Sequence, residues 1–318
     1  MNKFLKIIFL VFLGISISKC TKTADPITPV PLRDYATQYA ADVIQIENYL
    51  KTHKVVVTNN ANFTNDQDAT VTVVPMLDPT SIWGTSATTP NANVLSRTIV
   101  VDGISYKIYY LQFRQGTGDS PCNVDAVLTS YKGFLMDSET TPTIFDGLNL
   151  PQTFFPLDGV IRGWSEIFPL FKKGTISVVN GTNVYSNFGA GMMFVPSALA
   201  YYNQGKGLIP SYAPLVFSFK LYAIDRQDQD GDGIPSYLED LRGTTIGSPP
   251  DGYITVADDD TDGDGKPDYG DFDDDNDNII TKNEIKNPAT QLPYAFGSIP
   301  ICPASGRQVH RDASCIVN

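Results

Sequence analysis

Apolar residues recur at Leu32, Tyr35, Tyr39, Val43, Ile46 and Leu50. Steps of three and four bring such positions to one side of an α-helix, so this stretch predicts an amphipathic helix. The period then changes. Runs at 55–58, 69–75, 98–101 and 106–114 are rich in β-branched and aromatic residues and lie between Asn-, Asp-, Thr- and Gly-rich turns, which predicts strands. At 178–184, Asn180-Gly181 stands between β-branched residues, the signature of a two-residue hairpin turn. A Val-, Phe- and Leu-rich strand is predicted at 215–224 and one short helix at 164–171. The fold class that follows is α+β: an antiparallel β-sheet wrapped around a short helix, preceded by a helix-plus-strands region.

The apolar run 4–17 follows Lys3 and Lys6. A bilayer span needs ~20 residues, so the run predicts a secretory signal rather than a membrane helix. It ends in Ile17-Ser18-Lys19-Cys20, which resembles a bacterial lipobox, with Lys19 where a small residue is usual. The resemblance implies lipidation of Cys20 and an envelope protein anchored on the periplasmic side or the surface of the outer membrane. The organisation expected is a signal at 1–19, a tether at 20–32, an accessory region at 33–98, the sheet domain at 99–225, an acidic segment at 226–286 and a tail at 287–318.

Charge changes the picture only in one place. The 318 residues carry a net charge of −12, yet residues 225–284 hold 19 acids against 4 bases, about −15, leaving about +3 elsewhere. Nucleic acid is a poor partner for such a chain, because phosphate backbones attract basic surfaces. With only His53 and His310 present, a histidine-rich zinc site or a Ser-His-Asp hydrolase is disfavoured. Export permits disulfides. Cys302 and Cys315 lie close together in a Pro/Gly-rich tail, and a bridge between them would contribute up to ~3 kcal/mol, leaving Cys122 as a free thiol.

The acids are spaced. Asp228, Asp230 and Asp232 are followed by Gly233, Ser236 and Glu239; Asp260, Asp262 and Asp264 by Gly265, Asp268 and Asp271; Asp273, Asp275 and Asp277 by Asn278, Thr281 and Glu284. These are positions 1, 3, 5, 6, 9 and 12 of a twelve-residue calcium loop, in which oxygens on alternate residues wrap one ion and position 6 makes the tight turn. Position 7 (Ile234, Lys266, Ile279) would supply a backbone carbonyl. Phe272 alone separates the second loop from the third, and Pro235 and Pro267 occupy position 8, so paired EF-hands are excluded. The pattern resembles thrombospondin type-3 and other DxDxDG repeats, with structural calcium. The second loop is expected to bind weakest, since it ends in the short Asp271.

Further pieces occur in order: Tyr131-Lys132-Gly133, Phe145-Asp146, Val160-Ile161-Arg162-Gly163-Trp164, Ala200-Tyr201, Ile209-Pro210 and Leu215-Val216-Phe217. Across about 121–224 they resemble the FKBP-type peptidyl-prolyl isomerases. The resemblance implies a pocket lined by Tyr131, Phe145, Val160, Ile161, Trp164, Tyr201 and Phe217, with Trp164 as its floor and Ile209 closing one side. It places the Asp146 carboxylate at the rim, and the Ile161 N–H and Tyr201 hydroxyl on substrate carbonyls. Rotation about an X–Pro bond breaks no bond but crosses ~18–20 kcal/mol of lost resonance, so the implied chemistry needs no catalytic cofactor. A thousandfold acceleration takes only about 4 kcal/mol of preference for the twisted amide. Three departures stand out: Thr153 aligns where another pocket aromatic is usual, Gly159 replaces an acid, and Tyr202 replaces a glycine. The implied partners are proline-containing peptides or unfolded exported proteins, and a monomer is expected. The competing reading is a non-catalytic calcium-binding surface lipoprotein whose FKBP-like domain binds a partner.

Overall fold

A computed structural model describes residues 31–58, 68–137, 141–241 and 250–315. The signal-like run and Cys20 lie outside the described residues. None of the described helices is long and apolar enough to cross a membrane.

The first helix, α1 (Tyr35–Thr52), starts where Asp34 accepts the Thr37 N–H at 2.8 Å, which satisfies an N–H that has no partner within the helix. Leu32 precedes the helix and is exposed. Ile46 and Leu50 are buried as the periodicity predicts, Tyr49 is buried beside them, and Tyr35 is exposed. Gln38 and Asp42 are buried too, which periodicity does not predict. They are tolerated because they are bonded: Gln38 Nε2 donates to Asp42 Oδ1, and Asp42 Oδ2 accepts from the N–H and hydroxyl of Ser197 at 2.7 and 2.6 Å.

Two strands, β1 (His53–Val57) and β2 (Ala69–Val73), pair as an antiparallel ribbon. The main sheet is built from β3 (Val94–Val101), β4 (Ile104–Arg114), β5 (Ala126–Leu135), β6 (Ile144–Leu148) and β7 (Phe155–Pro156). The hairpin strands β8 (Thr175–Val179) and β9 (Thr182–Ser186) form a separate ribbon, and β10 (Gly189–Val195) and β11 (Leu215–Asp225) complete the sheet. Its order is β3-β4-β10-β11-β5-β6, with β7 beside β5 and every pairing antiparallel. The β8–β9 turn takes left-handed φ at both Asn180 (50°) and Gly181 (76°), as the Asn-Gly signal predicts. Strand β3 begins at Val94, so the sheet's edge crosses the boundary expected at residue 98.

All seven residues of β10 are buried, because both faces of the sheet are covered. Met193 and Val195 pack on one side with Trp164, Phe168 and Phe219. Met192 and Phe194 pack on the other with Ile46, Leu50, Trp83 and Val216. The short helix is α2 (Arg162–Ile167), which tightens into a 3₁₀ turn at Phe168–Leu170. Pro169 is the cause, since it offers no N–H to continue the α-helix.

Residues from Arg33 onward form one compact unit that includes the acidic segment. Tyr253 donates its hydroxyl to the Glu166 carbonyl at 2.9 Å, and the Arg97 guanidinium lies 3.3 Å from the centre of its ring. Arg97 and Arg162 both pair with the buried Glu166 carboxylate at 2.8 Å. Asn123 exchanges side-chain hydrogen bonds with the backbone of Ile254 at 3.0 and 2.9 Å. A small core of Cys122, Val124 and Ile254 seals the seam, and burial pushes the Cys122 thiol up to about 12. The tail packs on the first acidic loop through Ile234, Ile285, Ile299 and Val309. Cys302 and Cys315 are free thiols here rather than bridged. The final short helix is α3 (Thr281–Glu284).

Candidate functional site

The cavity on the α2 side of the sheet holds about 720 Å³. Tyr131, Phe145, Asp146, Val160, Ile161, Trp164, Tyr201, Ile209 and Phe217 all line it, so the nine residues expected from separate pieces of the sequence converge on one concavity. β5 supplies Tyr131, β6 Phe145 and Asp146, α2 Trp164, and β11 Phe217. The rings lock edge to face: Tyr131 and Trp164 have centroids 5.0 Å apart, Trp164 and Phe217 5.4 Å, and Phe145 and Phe217 5.5 Å. That geometry suits aromatic quadrupoles and fixes the walls. The Trp164 indole N–H is buried without a hydrogen-bond partner.

The polar groups are few. Tyr131 Oη donates to Asp146 Oδ2 at 2.8 Å, and Gly147 N–H donates to Asp146 Oδ1 at 2.8 Å. Burial first, and then Asp146, push the Tyr131 phenol up and keep it protonated. Ile161 caps α2 in extended conformation, and its carbonyl accepts the Trp164 N–H at 2.9 Å. Among the described residues its own N–H makes no backbone hydrogen bond. The Lys206 ammonium stands 5.0 Å from the centre of the Tyr201 ring.

Two of the departures are resolved by the fold. Thr153 is exposed and outside the cavity, and Phe155 fills the aromatic position instead, 6.0 Å from both Tyr131 and Trp164. Phe155 lies two residues beyond Thr153 and is held at the cavity by β-pairing with Val127. Tyr202 takes the left-handed φ (49°) that a glycine would take freely. It is held by stacking on Tyr35 of α1 at 4.1 Å, by an edge contact with Tyr212 at 5.0 Å and by donation of its hydroxyl to the Arg33 carbonyl. α1 thereby braces the segment that carries Tyr201.

Gly133 explains the room for Phe145: a Cβ there would lie 2.5 Å from the Phe145 ring and 2.9 Å from Phe217. Gly133→Ala is expected to displace Phe145, the less buried ring, and to raise KM more than it lowers the melting temperature. An unchanged KM in a peptide isomerisation assay would contradict this placement.

The acidic loops share one architecture. In each, the position-1 carboxylate accepts the N–H of position 6: Gly233 to Asp228 at 3.2 Å, Gly265 to Asp260 at 2.9 Å, Asn278 to Asp273 at 3.0 Å. One oxygen of position 3 (Asp230, Asp262, Asp275) accepts from position 5. One oxygen of position 5 (Asp232, Asp264, Asp277) accepts the position-7 N–H of Ile234, Lys266 and Ile279. Positions 4 and 6 are left-handed in all three loops, from 57° at Asn276 to 107° at Gly233. The three carboxylates of each loop come within 4.8 Å of one another. The second oxygens of Asp230, Asp232, Asp275 and Asp277 are buried without a partner. Burial first, then neighbouring acids, push Asp230 up to about 8 and Asp232 up to about 6.

Position 9 has a further, structural role in each loop. Ser236 Oγ, Asp268 Oδ1 and Thr281 Oγ each accept the position-2 N–H of their own loop, at 3.2, 2.7 and 3.1 Å. Their own N–H groups bond the carbonyl just before the loop, so position 9 closes the loop. Position 12 differs among the three. Glu239 and Glu284 are buried with both oxygens unpartnered, whereas Asp271 accepts the Asp273 N–H and faces Lys266 at 3.9 Å. Glu239 groups with Asp230 and with Asp274, which the twelve-residue template leaves out.

Residues 229–308 match a family model described as BamM C-terminal. FKBP-type peptidyl-prolyl cis-trans isomerase FkpA of Aeromonas hydrophila is 36% identical over 130 residues, 41% of each chain. A probable FkpA of Neisseria meningitidis is 37% identical over 125 residues, 38% of each. The chain therefore spans about two fifths of the length of these curated relatives. Among solved structures, FkpA from Escherichia coli is similar at 29% identity and a TM-score of 0.31, over 40% of this chain and 51% of that one. About two fifths of this chain is thus homologous to FKBP-type peptidyl-prolyl isomerases.

Proposed function

We propose that the sheet domain, residues 99–225, catalyses peptidyl-prolyl cis-trans isomerisation and acts as a folding helper for exported proteins. The convergence of all nine predicted residues on one aromatic cavity carries this reading. Proline fits an apolar enclosure of this size, and removal of water favours the twisted amide, whose dipole is smaller than the planar one. Trp164 is the floor under the ring. The Ile161 N–H and the Tyr201 hydroxyl hold substrate carbonyls, and Asp146, steadied by Tyr131, sets the field at the rim. Phe155, which lines the same cavity, adds an aromatic wall to the site and supports the enzyme over the binding-only alternative.

The chain is read as a lipoprotein of the bacterial cell envelope, anchored through Cys20, on the strength of its signal-like run and lipobox. The three acidic loops are read as structural calcium sites. Inward, unpartnered oxygens in the first and third loops support this, since buried carboxylates are otherwise costly. The adjacency of Cys302 and Cys315 supports a disulfide once the protein is exported.

The test is cis-to-trans isomerisation of a short Leu-Pro or Phe-Pro peptide by the purified protein, with calcium and with a chelator. Acceleration in calcium is the expected result. No acceleration from a folded, calcium-loaded sample would overturn the assignment and leave a binding lipoprotein.

A further inference from the structure

We propose that Asp230, Glu239 and Asp274 together bind one further calcium ion, between the first and third acidic loops. Their carboxylate oxygens lie within 4.8 Å of one another. Glu239 and Asp274 are each only 2% exposed, and both oxygens of each, with Asp230 Oδ2, are buried with no hydrogen-bond partner. Among the described residues no lysine or arginine pairs with any of the three; the nearest basic group is His310, with Nε2 3.9 Å from Asp274 Oδ2. Buried carboxylates are retained where they are paired or hold a metal, and here no paired cation is present.

The donor set decides the ion. Carboxylate oxygens alone suit a hard divalent cation that takes many oxygens in flexible geometry, which is calcium. Asp274 is position 2 of the third loop, outside the twelve-residue ligand set. Its N–H is fixed on the Thr281 hydroxyl, and its carboxylate groups with the first loop rather than with Asp273, Asp275 and Asp277. Asp230 belongs both to this group and to the first loop's trio, and Glu239 is that loop's position 12, so two ions would share these carboxylates. The inference rests on the reading of the loops as calcium sites, but the residue that tests it belongs to none of their ligand sets.

The experiment counts ions on the purified full chain by native mass spectrometry at saturating calcium, and follows melting in calcium and in chelator. Wild type is expected to carry four ions and Asp274→Asn three. The variant should melt below wild type in calcium and above it in chelator, because the amide removes a ligand in one medium and an acid that is costly to bury unpaired in the other. Equal ion counts, or a variant more stable in both media, would overturn the bridging site. Three ions on wild type would overturn it alone, and none would overturn the loop reading with it. Should the variant fail to fold, the wild-type count of four against three decides.

Discussion

Asp146→Ala is expected to lower kcat/KM for X–Pro isomerisation about ten- to a hundredfold, with little change in melting temperature. The carboxylate is exposed on β6 and, among the described residues, is bonded to Tyr131 Oη and the Gly147 N–H. It fills no core space, so its removal leaves no cavity, and surface substitutions of that kind cost little. What it does is hold a negative charge and a phenol in place beside the cavity. A hydrogen bond to a charged group is worth ~1.5–3 kcal/mol, which converts to the stated range of rate. Tyr131→Phe removes the same bond from the other side and should move the rate in the same direction. Because the two residues share one interaction, the double variant should be slower than either single variant by less than the product of their effects. Wild-type rates in both variants would remove Asp146 and Tyr131 from the mechanism.

Chelation should lower the midpoint of thermal unfolding steeply. At a Kd of ~10⁻⁴–10⁻³ M, the range of extracellular calcium modules, ~10 mM free calcium stabilises a folded site by about 1.4–2.7 kcal/mol. Three loops multiply that to several kcal/mol, a large share of what holds an ordinary domain folded. The pH response separates metal from mere acidity. Burial pushes Glu239 up to about 11, Asp274 to about 10 and Glu284 to about 8 in the metal-free fold. A carboxyl whose folded pKa is raised binds its proton more tightly folded than unfolded. Its contribution is fully present below the unfolded value, near 4, and is lost as pH rises toward the folded values. In chelator the protein should therefore become more stable as pH falls from 8 to 5. In calcium the trend should reverse, because protons compete with the metal. The same trend in both media would show that these acids bind no ion.

Much of this site can be read in the chain. Periodicity finds α1 because Ile46 and Leu50 face a core, and Asn180-Gly181 marks its hairpin because few residues adopt two left-handed conformations in succession. The pocket is legible because its wall residues come in short local groups, such as Phe145-Asp146, whose internal spacing survives insertions. What is not legible depends on register and on long-range partners. Phe155 is displaced from its expected position by two residues, and only its pairing with β5 fixes it. Asp42 looks like a solvated position until Ser197, 155 residues away, is seen to use it. Asp274 looks like padding in an acidic run, because its companions Asp230 and Glu239 come from another loop. The loop-closing part of position 9 is hidden for a different reason: an oxygen that binds a cation and one that closes a turn are the same letter.

The seam built by Arg97, Tyr253 and Glu166 has a bearing on how such a chain is inherited. Tyr253 belongs to the acidic segment, Arg97 to the first edge strand, and Glu166 to the helix that carries Trp164. A truncation after Asp225 would strip the ring from beneath a guanidinium and leave the Glu166 carbonyl facing water beside the floor of the cavity. The two halves are therefore not beads that recombination can shuffle freely. A gene fusion that exchanged the C-terminal portion would have to bring a tyrosine and its turn with it, and changes on either side of the seam are constrained to occur together.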